Sequence, residues 1–240
     1  MGEIYLGECQ KESIVAEYVR THYIKKVFVF GDPVGEYELV KFNEMQLYRF
    51  YYRLLQEITT DTLVVMNEIM HTVNRYSLDY NCLRKYCLQT PHRIIFNYYP
   101  IRHEESDFMI LYDMLQNNPF LKEKYEWITH VDGLHIGDIR FSIQRHDVTL
   151  TNDELAEYVA KKEEIIGQVK NDPDIIPRRL LKWSESHNRK HLGFATDPKN
   201  TVKRDMVVAV NQTGVDTYYY NRLMEFERNL KNVIQRIQGI

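Results

Sequence analysis

The sequence predicts an α/β fold, a parallel, doubly wound sheet with helices packed on it. Two observations carry the prediction. Short apolar runs alternate with segments of helical period from the first residues to about Pro100. The runs Thr62-Leu63-Val64-Val65-Met66 and Ile94-Ile95-Phe96 also flank a polar, tyrosine-bearing helical segment, which makes a βαβ unit with parallel strands. In such sheets ligands bind at the carboxyl ends of the strands. A site is therefore expected at Asn67-Glu68 and just after Phe96.

Taken in order, Ile4-Tyr5-Leu6 is a strand, 7–13 a loop, and Ile14, Val15, Tyr18 and Val19 recur at helical spacing up to His22-Tyr23. Lys25 to Phe30 is a buried strand entering the turn Gly31-Asp32-Pro33. Glu36 to Phe42 alternates as an edge strand. Asn43 with Gln46 resembles a capping box. The helix it would open, 44–58, is apolar around much of its circumference and is expected against the sheet. Beyond Pro100 the pattern changes: a helix over 107–116, two strands over 126–132 and 138–143 read as a hairpin, and a helix from the capping box Thr151/Glu154 to about Lys170, ended by Pro173 and Pro177. A basic segment over 177–204, a strand over 206–210 and a terminal helix over 218–237 follow. Residues 1–103 read as the α/β core and 104–240 as its remainder, a helical and antiparallel extension.

Hydrophobic residues at 44% and charged residues at 27% are those of a globular chain. A net charge of −3 excludes a globally basic nucleic-acid binder, so any such site is a local patch. Cys9, Cys82 and Cys87 show no metal spacing and fit a reducing compartment. The opening residues lack a signal-peptide pattern, and no apolar run approaches the ~20 residues of a membrane span. The 18 tyrosines read as half-buried packing residues.

The loop Gly7-Glu8-Cys9-Gln10-Lys11-Glu12-Ser13 follows a first strand and opens a helix, the position of the phosphate-binding G-x-x-x-x-G-K-[ST] loop. Gly7, Lys11 and Ser13 are present. The loop is one residue short, the second glycine is missing, and Glu12 separates lysine from serine. A glutamate about 4 Å from a phosphate would repel it by roughly 4 kcal/mol at an effective dielectric near 20, unless it turns away. The same residues also read as a plain turn and helix start with Glu12 favouring the helix dipole. Asn67-Glu68 occupies the place where a carboxylate orients water or holds Mg²⁺ in such a core, and Glu68 is a candidate general base. Arg75 and Arg84 are candidate phosphate clamps, and Gln89 a candidate γ-phosphate sensor. Each of these three also reads as an ordinary residue of a solvated helix or loop. Arg178, Arg179, Lys182, Arg189 and Lys190, with Trp183, His187 and His191, read as a nucleic-acid grip, a lid over a triphosphate, or an exposed loop.

The order of these parts, with Asn74-Arg75-x-x-Leu78-Asp79-Tyr80-Asn81-x-x-Arg84, then Gln89-Thr90-Pro91-His92 and the later Ile176-Pro177-Arg178, resembles small P-loop proteins of bacteriophages, of the hydroxymethyluracil-DNA kinase type. The resemblance covers roughly the first hundred residues. It implies a mostly parallel sheet of P-loop NTPase type and transfer of phosphate from ATP to a hydroxymethyl group on a DNA base. Gly7, Lys11, Ser13 and Gln89 would sit around the nucleotide, Ser13 and Glu68 would hold Mg²⁺, and Glu68, Arg75 and Arg84 would serve the transfer. Nucleotide and DNA are the implied partners, and the cytoplasm of a bacterial host the implied location. A DNA-translocating or packaging ATPase, and a non-catalytic DNA-binding or scaffold protein derived from the same core, remain alternatives.

Overall fold

The computed structural model describes residues 2–71, 77–102, 104–115, 133–169, 175–191 and 205–239. They form two compact units, Met1–Ile139 with Asn229–Ile240, and Arg140–Arg228. The first is a parallel α/β unit, as the sequence predicts. Its strands are β1 (Gly2–Leu6), β2 (Lys26–Gly31), β3 (Glu38–Val40), β4 (Thr62–Asn67), β5 (His92–Asn97) and β6 (Leu134–Ile136). They lie in the order β3-β2-β4-β5-β1-β6, every pair parallel. Helices α1 (Lys11–Thr21), α2 (Phe42–Met45), α3 (Tyr48–Glu57), α4 (Leu78–Cys87) and α5 (Phe108–Leu115) make the connections.

β4 is buried at all six positions. This is why it reads as an unbroken apolar run: a parallel strand covered on both faces has no polar alternate. Leu63 and Val65 join Val15, Tyr18, Val29, Ile94 and Phe96 in the cluster under α1. Met66 points to the other face, where it receives the Cys87 thiol at 3.8 Å, and Phe30 there stacks on Tyr86. Arg93 also points to that face. It is buried and donates to Thr90 O and to the last carbonyl of α5, Leu115 O, at 2.6 Å. α1 and α5 therefore cover opposite faces of the sheet. The chain leaves the adjacent strands β1 and β5 toward opposite sides, which opens a crevice at their carboxyl ends.

Several expectations are corrected. The helix read over 44–58 is two helices: α2 starts after extended Lys41, and Leu47 is extended again, so Asn43 is no cap. α3 buries only Leu54 within it, while Tyr48 and Tyr52 are exposed. Tyrosine counts as apolar on a helical wheel, but its hydroxyl tolerates water. Of the second strand expected in the hairpin over 126–143, residues 138–141 belong to no strand. Residues 126–132 lie outside the described set, and the strand is the segment between Gly133 and Gly137, parallel to β1. Asp138 makes only an isolated antiparallel bridge to Glu8.

The second unit holds β7 (Ser142–Val148), α6 (Asn152–Gln168), α7 (Ile175–His191), β8 (Asp205–Asn211) and the start of α8 (Val215–Gln238). Thr151 and Glu154 form the capping box expected. β7 and β8 pair in parallel, not in the antiparallel manner expected of the extension. Two helices lie between them in sequence, and so long a crossover permits parallel pairing where a tight turn would not. Pro177 does not end a helix. It lies in the first turn of α7, where a missing N–H costs nothing. Ser184, Asp216 and Asn211 form a buried polar knot in this unit: Ser184 donates to Asp216 at 2.7 Å, and Asn211 Nδ2 donates to Ser184 Oγ at 2.7 Å. Among the described residues no helix is long and apolar enough to cross a membrane, and Cys9, Cys82 and Cys87 are free thiols.

At the amino-end rim of β5, the Tyr18 hydroxyl lies 3.2 Å from His92 Nδ1, and the His22 ring stacks on Tyr18. Burial, with His22 adding to it, holds the His92 pKa below its ordinary 6.5. The unfolded chain thus takes up this proton first as pH falls, so folding weakens below about pH 6.5. Urea midpoints of the parent are expected to drop between pH 7 and 5, and those of His92→Asn to drop less. Parallel profiles for the two would refute the assignment.

Candidate active site at the carboxyl-end rim

β1 ends at Leu6, and Gly7 turns the chain with φ of 82°. The Gly7 N–H is shared between Asn97 O and Tyr98 O, and the Glu8 N–H goes to Asp138 O, so the loop is sewn to β5 and to the segment after β6. α1 then starts at Lys11. Its N-cap, Gln10, gives no side-chain hydrogen bond, which leaves the positive end of an eleven-residue helix at this rim without a side-chain cap. The Lys11 ammonium crosses the crevice. It donates to Asn67 Oδ1 at 2.7 Å and to Glu68 Oε1 at 3.2 Å, and lies 6.0 Å from the centre of the Phe96 ring.

Glu68 is the most constrained residue of the site. Its side chain is 4% exposed against 24% for Lys11. Its φ is 54°, a left-handed conformation uncommon for a residue with a side chain. The surroundings hold it there: the Glu68 N–H donates to Phe96 O at 2.8 Å, and the Tyr98 N–H donates to both carboxylate oxygens at 3.2 Å. Asn67 is fixed from its other side, Nδ2 donating to Asp32 O. The Cys9 thiol beside the pair is pushed up in pKa by burial, with Lys11 opposing and Glu68 adding, so it stays a protonated thiol. A buried carboxylate, an ammonium and an uncapped helix end thus meet at one rim. Chemically this set can hold an anion and accept a proton from a hydroxyl.

The sequence-derived candidates fall into groups. Gly7, Lys11 and Glu68 converge. Ser13 is exposed in the first turn of α1 on the same rim and makes no hydrogen bond to Glu68. Glu12 does turn away: its carboxyl carbon is 3.7 Å from where a Cβ on Gly35 would stand, beside the β2–β3 connection. Gln89 is corrected. It precedes β5 and so stands at the opposite rim from Glu68, since a residue before a strand marks its amino end. Arg84, near the carboxyl end of α4, has a buried Nε with no hydrogen-bond partner and makes no contact with Lys11 or Glu68. Arg75 lies outside the described residues. Arg178, Arg179 and Lys182 are exposed on α7, a helix rather than the loop expected, and Arg179 binds Gln168 at 2.8 Å. Arg189 and Lys190 fall in the same helix, their side chains outside the described set.

No protein-family model and no curated protein matches the sequence. The site must therefore be read from its own geometry.

That geometry adds one residue to the candidates. Asn97 ends β5 as Asn67 ends β4, in register beside the carboxyl end of β1. It is buried, its Nδ2 donates to Tyr99 O at 2.7 Å, and its Oδ1 has no hydrogen-bond partner. A buried acceptor left unpaired is costly and calls for an explanation, which makes Asn97 a candidate. The signal was in the sequence: two apolar runs, Val64-Val65-Met66 and Ile94-Ile95-Phe96, each end in asparagine. Among the described residues no three His, Cys, Asp or Glu side chains cluster as a metal site.

Proposed function

We propose that the chain is a nucleotide-dependent phosphotransferase whose site is the rim holding Lys11, Asn67, Glu68 and Asn97, with a hydroxymethyl group on a DNA base as acceptor. One observation supports this most: the Lys11 ammonium, on the first residue of a helix without a side-chain cap, reaches the carboxylate that ends the central strand. Lys11 and the N-terminus of α1 hold the phosphates. Glu68 accepts the proton of the attacking hydroxyl, and in the absence of nucleotide its partner is Lys11. Phosphates drawing Lys11 away would uncover that carboxylate. Mg²⁺ takes oxygen ligands, which Ser13 and Glu68 offer, and when bound it neutralises phosphate charge. Exposed Arg178, Arg179 and Lys182, in the second unit, are by themselves candidate contacts to a DNA backbone.

A second reading has its own support. The Gly7 and Glu8 amides, which in a phosphate-cradling loop point at the ligand, are already spent on Asn97, Tyr98 and Asp138. On that reading the chain is a non-catalytic descendant that binds no nucleotide.

Thermal unfolding separates the two. ATP with Mg²⁺ at a hundred times its dissociation constant should stabilise by about 2.7 kcal/mol, several degrees at this size. Labelled phosphate should then transfer to hydroxymethyluracil-containing DNA and not to thymine DNA. Absence of any shift would leave only the second reading.

A further inference from the structure

α3 and α4 run side by side from the carboxyl-end rim toward the opposite one, and a groove of about 260 Å³ lies between them. Tyr48, Tyr51 and Tyr52 line one wall and Leu78, Asn81 and Lys85 the other. Tyr48 is 75% and Tyr52 48% exposed, with ring centres 4.6 Å apart, and Leu47 and Leu78 add exposed apolar surface beside them. Folded chains seldom leave so much aromatic and aliphatic surface in one place without a use for it.

The charges select the occupant. Lys85 Nζ lies 5.9 Å from the Tyr51 ring centre, and exposed Arg49 stands on α3 between Tyr48 and Tyr52, while Arg53 beyond Tyr52 is paired with Glu57. Asp79 at the edge is occupied by Gln46, whose amide donates to it at 2.6 Å. Asn81 likewise donates to Ser77 O, which leaves each amide a carbonyl oxygen for a donor on a ligand. The volume lies below the roughly 300–1,000 Å³ of sites for drug-sized molecules and suits one ring system. Exposed aromatic faces interleaved with cations are how single-stranded nucleic acid is held.

We infer that this groove binds an unpaired base of single-stranded DNA, stacked on the Tyr52 ring with Tyr48, tilted 56° to it, against the edge of the base, and with Lys85 and Arg49 beside the flanking phosphates. It goes beyond the phosphotransferase reading and does not need it, since the base is held without nucleotide.

The test is fluorescence anisotropy of a labelled ten-residue oligothymidylate at low salt, with no ATP. Tyr52→Ala should weaken binding roughly 5- to 100-fold. Tyr52→Phe, which keeps the ring, should bind within about twofold of the parent, and both should melt as the parent does. An abasic strand of equal length should bind the parent as weakly as the oligothymidylate binds Tyr52→Ala. Equal affinity of parent and Tyr52→Ala overturns the inference, as does equal affinity for the abasic strand. Loss of binding only on replacing Arg178, Arg179 and Lys182 by alanine overturns it too. So does a parent that sediments as a dimer which Tyr52→Ala dissociates, because a second copy would then fill the groove. A missing ATP shift with base binding intact would count against the phosphotransferase reading alone.

Discussion

Lys11→Met is expected to erase the stabilisation by ATP and to lower the melting temperature as well. Two separate losses produce this. The phosphate loses its ammonium, a positioned charge whose removal from a site of this kind costs about 10²- to 10³-fold in rate. Glu68 is left buried without its ammonium partner, a penalty of about 2 kcal/mol given that Lys11 itself reaches solvent. At this chain length that is about 4–8 °C. Glu68→Gln should separate the two roles. The amide still accepts the Tyr98 N–H, and Lys11 still reaches Asn67 Oδ1, so the ATP shift should persist while transfer falls about 10²- to 10⁴-fold. The double variant should be more stable than the sum of the two single losses, because no buried charge is left alone. Transfer surviving in Glu68→Gln would remove Glu68 as the base. Strict additivity of the stability losses would mean that the ion pair contributes nothing.

Gly31→Ala is expected to be the most destabilising small substitution in the sheet. Gly31 ends β2 with φ of 93°, and a Cβ placed there would stand 2.0 Å from Asn67 O. That oxygen is backbone, already held by the Asp32 N–H at 3.0 Å, and cannot yield without moving the end of β4. A loss of at least ~3 kcal/mol follows, a melting temperature lower by about 6–12 °C. Because Asn67 holds Lys11, nucleotide stabilisation should fall with it. Gly167→Ala is the control: it lies in α6 with nothing within 4 Å of its would-be Cβ, and should be neutral or stabilising by about 0.5–1 kcal/mol. A Gly31→Ala protein melting within a degree of the parent would contradict the described turn.

What the sequence discloses, and what it hides, follows from how local each signal is. β4 was legible because burial on both faces leaves no polar alternate, and Lys11 because a strand–loop–helix order fixes its rim. The corrections share a cause. Gln89 adjoins β5 at its amino end, the rim opposite the one that a phosphate sensor needs. α7 is hidden by Pro177, which as a terminator ends the preceding helix, whereas the first turn of a helix accepts proline. The exposure of α3 was hidden because tyrosines at helical spacing look alike whether they face the core or water. Asn97 is signalled by its place after an apolar run, and the strand pairing adds that it lies beside the end of β1.

The place of β1 between β5 and β6 has a consequence for how the chain reaches its native state. Its hydrogen-bonding partners are residues 93–97 and 134–136, while β2, β3 and β4 find theirs nearer in sequence. Contacts so distant slow the search. During synthesis the segment 26–97 can assemble a sheet whose outermost strand is β5, with Ile94, Ile95 and Phe96 bare until β1 docks. An intermediate of that shape exposes an apolar strand edge on which identical chains can pair. Chaperone demand and inclusion-body formation should accordingly track the rate at which the opening strand threads into its slot.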